Sequence, residues 1–164
     1  MLARMDDYRL LLAGTADAER LAAMSQAHIE AGLHPSWTAA RIGWHIRHPE
    51  SLVLTAKAGA MVAGFAIMRY AEDTAHLNLL AVDPAHRRHG VARRLLTWLE
   101  ATALTAGAFL IGLELREHNA GAYAFYTALG YREIGRAPGY YQGREGAVRM
   151  SRDLRGAALA GGSR

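Results

Sequence analysis

The chain has 164 residues, 51% of them hydrophobic, which is enough for one domain with a substantial core and too short for two comfortable ones. It has no cysteine, so disulfides, thiolate metal sites and thiol nucleophiles are excluded. The net charge of +4 favours an anionic partner without deciding between a phosphorylated small molecule and nucleic acid.

The N-terminal run MLARMDDYRL carries Asp6 and Asp7 where a secretory leader needs an unbroken apolar stretch, and nowhere do about 18 uninterrupted apolar residues occur. A soluble, cytoplasmic protein with no membrane partner is expected. YRLLLA (8–13) reads as a strand and TADAERLAAMSQAHIEAG (15–32) as a helix, with Asp17 as N-cap and Gly32 as terminator. Leu21, Met24, His28 and Ile29 share its inner face. A second helix is expected from an N-cap at Ser36, carrying Trp37 and Trp44 on one face and ending before Pro49. Three strand-like runs follow, SLVLTAKA (51–58), MVAGFAIMRY (61–70) and HLNLLAV (76–82), the first two joined by a tight turn at Gly59.

Val82-Asp83-Pro84 ends the third run. From Gly90, the apolar residues Val91, Leu95, Leu96 and Leu99 fall on one face of a helix reaching about Ala106, before Gly107. FLIGLELRE (109–117) reads as a strand and NAGAYAFYTALG (119–130) as a helix between an Asn119 N-cap and a Gly130 terminator. YREIGRA (131–137) and EGAVRMSRDL (145–154) form a final strand pair, with Tyr140 and Tyr141 in the loop between them. The folded domain is taken as 1–155 and GAALAGGSR (156–164) as a disordered tail. This order of elements predicts an α/β domain built on one sheet with helices on both faces.

The run AVDPAHRRHGVARRLL (81–96) crowds Arg87, Arg88, Arg93 and Arg94 around the start of a helix. Cations there oppose the helix dipole by about 0.3–1 kcal/mol each, a penalty that a bound anion reverses. A P-loop is excluded because no lysine or hydroxyl residue lies between Arg87 and Leu96, and a Rossmann fingerprint because Gly90 has no companion glycine at the needed spacing.

The residues Arg87, Gly90 and Ala92, spaced R-x-x-G-x-A after AVDP, resemble the pyrophosphate-binding signature Q/R-x-x-G-x-G/A of the GNAT acyl-CoA N-acyltransferases. LELREHNAGAYAFYTALGYREIG (113–135) is similar to that superfamily's L-E-V-R-x-x-N-x-x-A-x-x-x-Y-x-x-x-G-F segment. With PGYYQGREGAVRM (138–150), the chain looks most like the RimI type, the ribosomal-protein alanine N-acetyltransferases. The resemblance covers 61–154, and one departure stands out: Glu145, Gly146 and Ala147 occupy places where two acidic residues and an alanine are expected.

The resemblance implies a mixed, mostly antiparallel sheet splayed between its fourth and fifth strands. It implies acetyl-CoA as cosubstrate, laid along Leu80, Ala81 and Val82, with its pyrophosphate at Arg87, Arg88, His89, Gly90, Val91, Ala92 and Arg93. Asn119 and Tyr126 would meet the pantetheine arm. Glu114 is the implied base, directly or through water, and Tyr126 the implied acid for the departing thiolate. Trp37, Glu114, Tyr140 and Tyr141 would line the acceptor side, with His76 in reserve for proton transfer. From the residues alone, Glu114 reads more commonly as an exposed strand carboxylate, Tyr126 as a core side chain beside Ala122, Phe125 and Leu129, Trp37 more often as a core residue, and Tyr140 and Tyr141 equally as cover for a hairpin face.

No metal is expected, since neither a carboxylate nor a cysteine completes a set with His45 and His48. Deprotonating an α-amine of pKa near 8 at pH 7 costs about 1 kcal/mol, against about 4–5 for lysine, which favours a protein or peptide N-terminus as acceptor. Small amines such as polyamines, amino acids or aminoglycosides come second, and a non-catalytic acyl-CoA sensing module third. Nucleic acid is the weakest partner, because the basic residues gather at one turn. A monomer or homodimer is expected.

Overall fold

Residues 7–156 are described by a computed structural model, in which the strands and helices follow the expected order. They are β1 Tyr8–Leu12, α1 Ala18–His28, α2 Ala39–Arg47, β2 Ser51–Ala58, β3 Met61–Tyr70, β4 Thr74–Val82, α3 Val91–Thr105, β5 Leu110–Arg116, α4 Ala120–Ala128, β6 Arg132–Tyr141 and β7 Glu145–Asp153. The tail expected from 156 lies, Gly156 apart, outside the described residues, as do residues 1–6. No helix among the described residues is long and apolar enough to cross a membrane.

The strands form one mixed sheet in the order β1-β2-β3-β4-β5-β7-β6. β4 and β5 run parallel, paired from Thr74↔Leu110 to Leu77↔Leu113, and each strand continues beyond that segment, to Val82 and Arg116. β1–β2, β2–β3, β5–β7 and β6–β7 are antiparallel. On β4 and β5 the period-2 pattern is clean: Leu77, Leu79 and Ala81, and Ile111, Leu113 and Leu115, are buried, while His76, Asn78, Leu80, Val82 and Glu114 lie on the half-exposed face.

The chain packs as two compact units. In the first, residues up to Arg69 with Asn78–Ala101, the core gathers Leu21 and Met24 of α1, Ile42 of α2, and Val53, Phe65, Ile67 and Leu79 from the strands. In the second, Tyr70–Leu77 with the residues from Thr102 onward, the buried side chains include Ile111, Leu113, Val148, Met150 and Tyr131.

Four local expectations are corrected. α1 stops at His28 rather than Gly32, because Glu30 turns inward. A buried carboxylate needs donors, and Glu30 accepts from the Ser25 hydroxyl (3.1 Å), the Ser36 N–H and hydroxyl (2.6 and 2.7 Å) and the Trp37 N–H (3.2 Å). Ser36 is thereby committed, and Thr38 caps α2 instead, its Oγ1 accepting the Arg41 N–H at 3.2 Å. Trp37 accordingly precedes α2 and does not share a helix with Trp44. Asp17 makes no cap bond to α1; it accepts the Gly14 N–H at 2.9 Å and Lys57 Nζ at 3.2 Å. Tyr140 and Tyr141 lie on β6 rather than in a loop, because a bulge spanning Pro138 and Gly139 restores pairing at Tyr141↔Glu145.

Within the first unit, Gly64 lets β3 pack closely against the end of β4 and the start of α3. A Cβ at this position would lie 3.0 Å from the Ala81 carbonyl oxygen, 3.1 Å from Val91 Cγ1 and 3.2 Å from Val82 Cγ2. Gly64→Val should therefore lower unfolding free energy by about 1–3 kcal/mol despite valine's better strand propensity. Denaturant unfolding measures this, and an unchanged midpoint would mean that the strand shifts freely.

Candidate active site

β4 ends at Val82, and the chain enters a short 3-10 turn, Pro84–His86, capped by Asp83, whose Oδ1 accepts the Ala85 N–H at 3.1 Å. Arg88 and Gly90 both adopt positive φ, 65° and 76°. Such alternation turns successive N–H groups to one side, forming an anion-binding concavity. The Arg94 N–H bonds the Gly90 carbonyl at 3.0 Å and opens the helical ladder of α3. The six N–H groups of residues 88–93 have no acceptor among the described residues. The positive end of the α3 dipole adds to them, giving the segment an electrostatic character complementary to an anion.

The arginines divide into two pairs. Arg87 Nε donates to the Val82 carbonyl at 3.3 Å and Arg94 Nη1 to the Tyr8 carbonyl at 2.8 Å. Arg88 and Arg93 make no hydrogen bond or ion pair among the described residues. The first pair braces the segment and the second leaves charge available. On β4, Leu80 and Val82 are half-buried and Ala81 is a core residue.

The titratable site lies in the second unit. Glu114 stands mid-β5 on the face opposite Leu113 and Leu115. Across the parallel pair, His76 of β4 sits opposite Gly112, which puts no side chain in its way. Its Nε2 lies 2.6 Å from Glu114 Oε2. On the other side Arg149 of β7 is the direct cross-strand partner of Glu114, with Nε 3.8 Å from Oε1. The hydrogen bond from His76 holds the Glu114 carboxyl below its ordinary value; burial opposes this, and the charges of His76 and Arg149 reinforce it. The group is ionised at neutral pH, and a carboxylate facing Nε2 selects the tautomer that carries its proton there.

Tyr126 is the buried residue of α4, 8% exposed, with its ring edge-on to Tyr131 at 5.5 Å. Its hydroxyl makes no hydrogen bond among the described residues. Burial, and secondarily the neighbouring Tyr141, push its pKa well above the ordinary tyrosine value, so it stays a neutral donor. Tyr141 is raised as well, first by burial, then by Tyr140 and Glu114. Tyr140 is 48% exposed and packs edge-on against Tyr141 at 5.0 Å. Asn119 caps α4, its Oδ1 accepting the Ala122 N–H at 3.0 Å.

Trp37 lies in the core of the first unit, with Arg41 over its ring at 3.7 Å and the His45 ring at 5.2 Å. His45 is likewise internal, bonded through Nδ1 to the Ser51 hydroxyl at 2.7 Å, and burial lowers its pKa. Arg149 is a component that sequence reasoning missed, since its spacing carries no sign of a partner 35 residues earlier on another strand.

Residues 18–131, well over half of the chain, match the sequence pattern of the acetyltransferase (GNAT) family. The chain belongs to this family. It is 40% identical over 93 residues to the ribosomal protein bS18-alanine N-acetyltransferase of Salmonella typhimurium, a match covering 55% of this chain and 63% of that protein. The chain therefore spans less than two thirds of the length of this curated relative. The fold is similar to that of the ribosomal-protein-S18-alanine N-acetyltransferase from Escherichia coli (TM-score 0.77, 29% identity, 90% of this chain and 94% of that one). It is also similar to Ard1 from Thermoplasma volcanium (TM-score 0.80, 26% identity, 90% and 98%).

In this GNAT chain, the charge state of Glu114 is set by identifiable neighbours. Its folded pKa lies below the ordinary glutamate value, so its contribution to stability is fully present above that ordinary value and is lost as pH falls through the folded one. His76→Leu should move the Glu114 midpoint upward in a carboxyl-carbon NMR titration and flatten this part of the acid dependence. An unmoved midpoint would assign the depression to other groups.

Proposed function

We propose that the protein transfers an acetyl group from acetyl-CoA to a primary amine by direct attack in a ternary complex, the acceptor being the N-terminal α-amine of a protein or peptide. The reading rests above all on the ionised Glu114 carboxylate hydrogen-bonded to His76 at 2.6 Å in a chain of this family. Bound acetyl-CoA would supply an activated acetyl thioester. The N–H groups of residues 88–93 would hold its diphosphate, and backbone groups of Leu80 and Val82 its pantetheine arm, with Asn119 alongside.

Glu114 and His76 act as one proton acceptor. The amine nitrogen forms the new bond to the carbonyl carbon, the carbon–sulfur bond breaks, and the amine proton passes to the pair and on to solvent. His76 extends the reach of the carboxylate, and Arg149 keeps the pair from drifting to a neutral, protonated state. An α-amine, about 1 kcal/mol from its neutral form at pH 7, suits an acceptor whose carboxyl is itself held acidic. Tyr126 supplies an O–H to the departing sulfur. Its raised pKa stands above that of an ordinary thiol, near 8.5, so it stabilises the thiolate by hydrogen bonding rather than by complete proton transfer.

One observation favours a small amine as a second reading. Glu145 is committed to Arg116 at 3.0 Å, and the Glu117 carboxylate covers Gly146, where a Cβ would lie 2.5 Å from Oε2. The acidic pair expected of a ribosomal-protein acetyltransferase is therefore not presented in that form.

Incubating the protein with acetyl-CoA and a pooled panel of peptides, polyamines, amino acids and aminoglycosides, with detection by mass spectrometry, tests the assignment. Acetylated peptide α-amines are expected, with kcat reduced about 10²- to 10⁴-fold in Glu114→Gln. Tyr126→Phe should lower kcat with little change in KM for the amine. Acetyl on small amines alone would replace the N-terminal acceptor, and tight acetyl-CoA binding without any product would contradict catalysis.

A further inference from the structure

We propose that Tyr8, at the start of β1, is a positioning residue for the anion cradle of residues 88–93; this rests on the reading of that cradle as the acetyl-CoA site. A segment whose N–H groups must stay open to a ligand cannot order itself with those groups. Its shape is also intrinsically costly, since Arg88 has a left-handed backbone conformation that non-glycine residues adopt only where the surroundings impose it. The restraint has to come from outside the segment, and Tyr8 supplies it on both flanks.

Ahead of the cradle, the Tyr8 hydroxyl is hydrogen-bonded to His86 Nδ1 at 2.9 Å, with the two rings edge-on at 5.6 Å. Beyond it, Arg94 Nη1 donates to the Tyr8 carbonyl at 2.8 Å. Within it, the His89 ring lies 6.4 Å from the Tyr8 ring. Tyr8 itself is fixed: it is 3% exposed and paired with Ala58 in the β1–β2 ladder. Burial, helped by the charge of Asp7, raises the Tyr8 pKa, which keeps the hydroxyl intact as a hydrogen-bonding group. The other ties, Arg20 to Asp83 at 3.0 Å, the Asp83 N–H to the Ala63 carbonyl at 2.8 Å and Arg87 Nε to the Val82 carbonyl at 3.3 Å, act at or before Arg87, so they do not reach the positive-φ residues.

The consequence is specific. Losing the hydroxyl releases His86 and the entry to the cradle while leaving the ring, the strand pairing and the Arg94 contact in place. Ground-state binding of coenzyme A should weaken, and the acyl-transfer step should not. In Tyr8→Phe, Kd for coenzyme A by calorimetry and KM for acetyl-CoA are both expected to rise about 3- to 10-fold, the size of one hydrogen bond, with kcat and Tm little changed. His86→Leu should do the same from the other side of the bond, and the double variant should bind no worse than the weaker single variant. Wild-type protein that binds coenzyme A, with both single variants binding equally well, overturns the role of Tyr8. So does a fall in kcat with Kd unchanged. Wild-type protein that binds no coenzyme A overturns the reading of the site itself.

Discussion

Six consecutive backbone N–H groups, those of residues 88–93, have no acceptor among the described residues, and the first unit is organised around that constraint. Open donors are tolerated where water or a ligand reaches them, so the segment must sit at the surface while its ends are held from within. β4 and α3 provide those ends. Leu79 and Ala81 bury one face of the strand, and Val91, Leu95, Leu96 and Leu99 bury one face of the helix. Gly64 lets β3 approach both of these elements closely. The arginines then make sense as two groups, Arg87 and Arg94 bracing the backbone and Arg88 and Arg93 adding positive potential to a site that already has the helix dipole. Cations and open N–H groups at the mouth of α3 lower local stability, a cost that a bound anion would reverse.

In the second unit the governing fact is the period-2 alternation of β5. Apolar residues at 111, 113 and 115 fix the strand in the sheet and place Glu114 on the opposite face without any special turn or strain. Its neighbours come from the parallel strand on one side and the antiparallel strand on the other, so a carboxylate with one imidazole and one guanidinium contact arises from sheet register alone. Tyr126 comes from the helix that follows β5, and its burial gives it the opposite property, a hydroxyl that resists ionisation. A readily ionised carboxylate and a hydroxyl that stays neutral are thus set by environment as well as by residue type.

Much of this was legible in the sequence because the signals were local. The boundaries of β2 and β3, the Gly59 turn, the start of α3 after Gly90 and the Asn119 cap each depend on residues within a few positions of one another. What the sequence did not disclose depends on contacts across the fold. Ser36 has the chemistry of an N-cap, but Glu30 claims it, and that competition is visible only once the carboxylate is buried. Trp37 and Trp44 share a helical spacing that matters only if both lie on the helix, and α2 begins after Trp37. His76 was recognisable as an imidazole at the start of a strand, whereas its contact with Glu114 depends on the parallel register of β4 and β5. Arg149 and the flanking hold of Tyr8 on residues 86–94 are non-local in the same sense.

Placing the diphosphate of acetyl-CoA on the open N–H groups of residues 88–93 has a direct readout in ¹⁵N amide chemical shifts during titration with coenzyme A. The largest shifts are expected on the amides of residues 88–93, with Arg88 and Gly90 prominent. Saturable binding of coenzyme A that leaves those amides unmoved would contradict that placement.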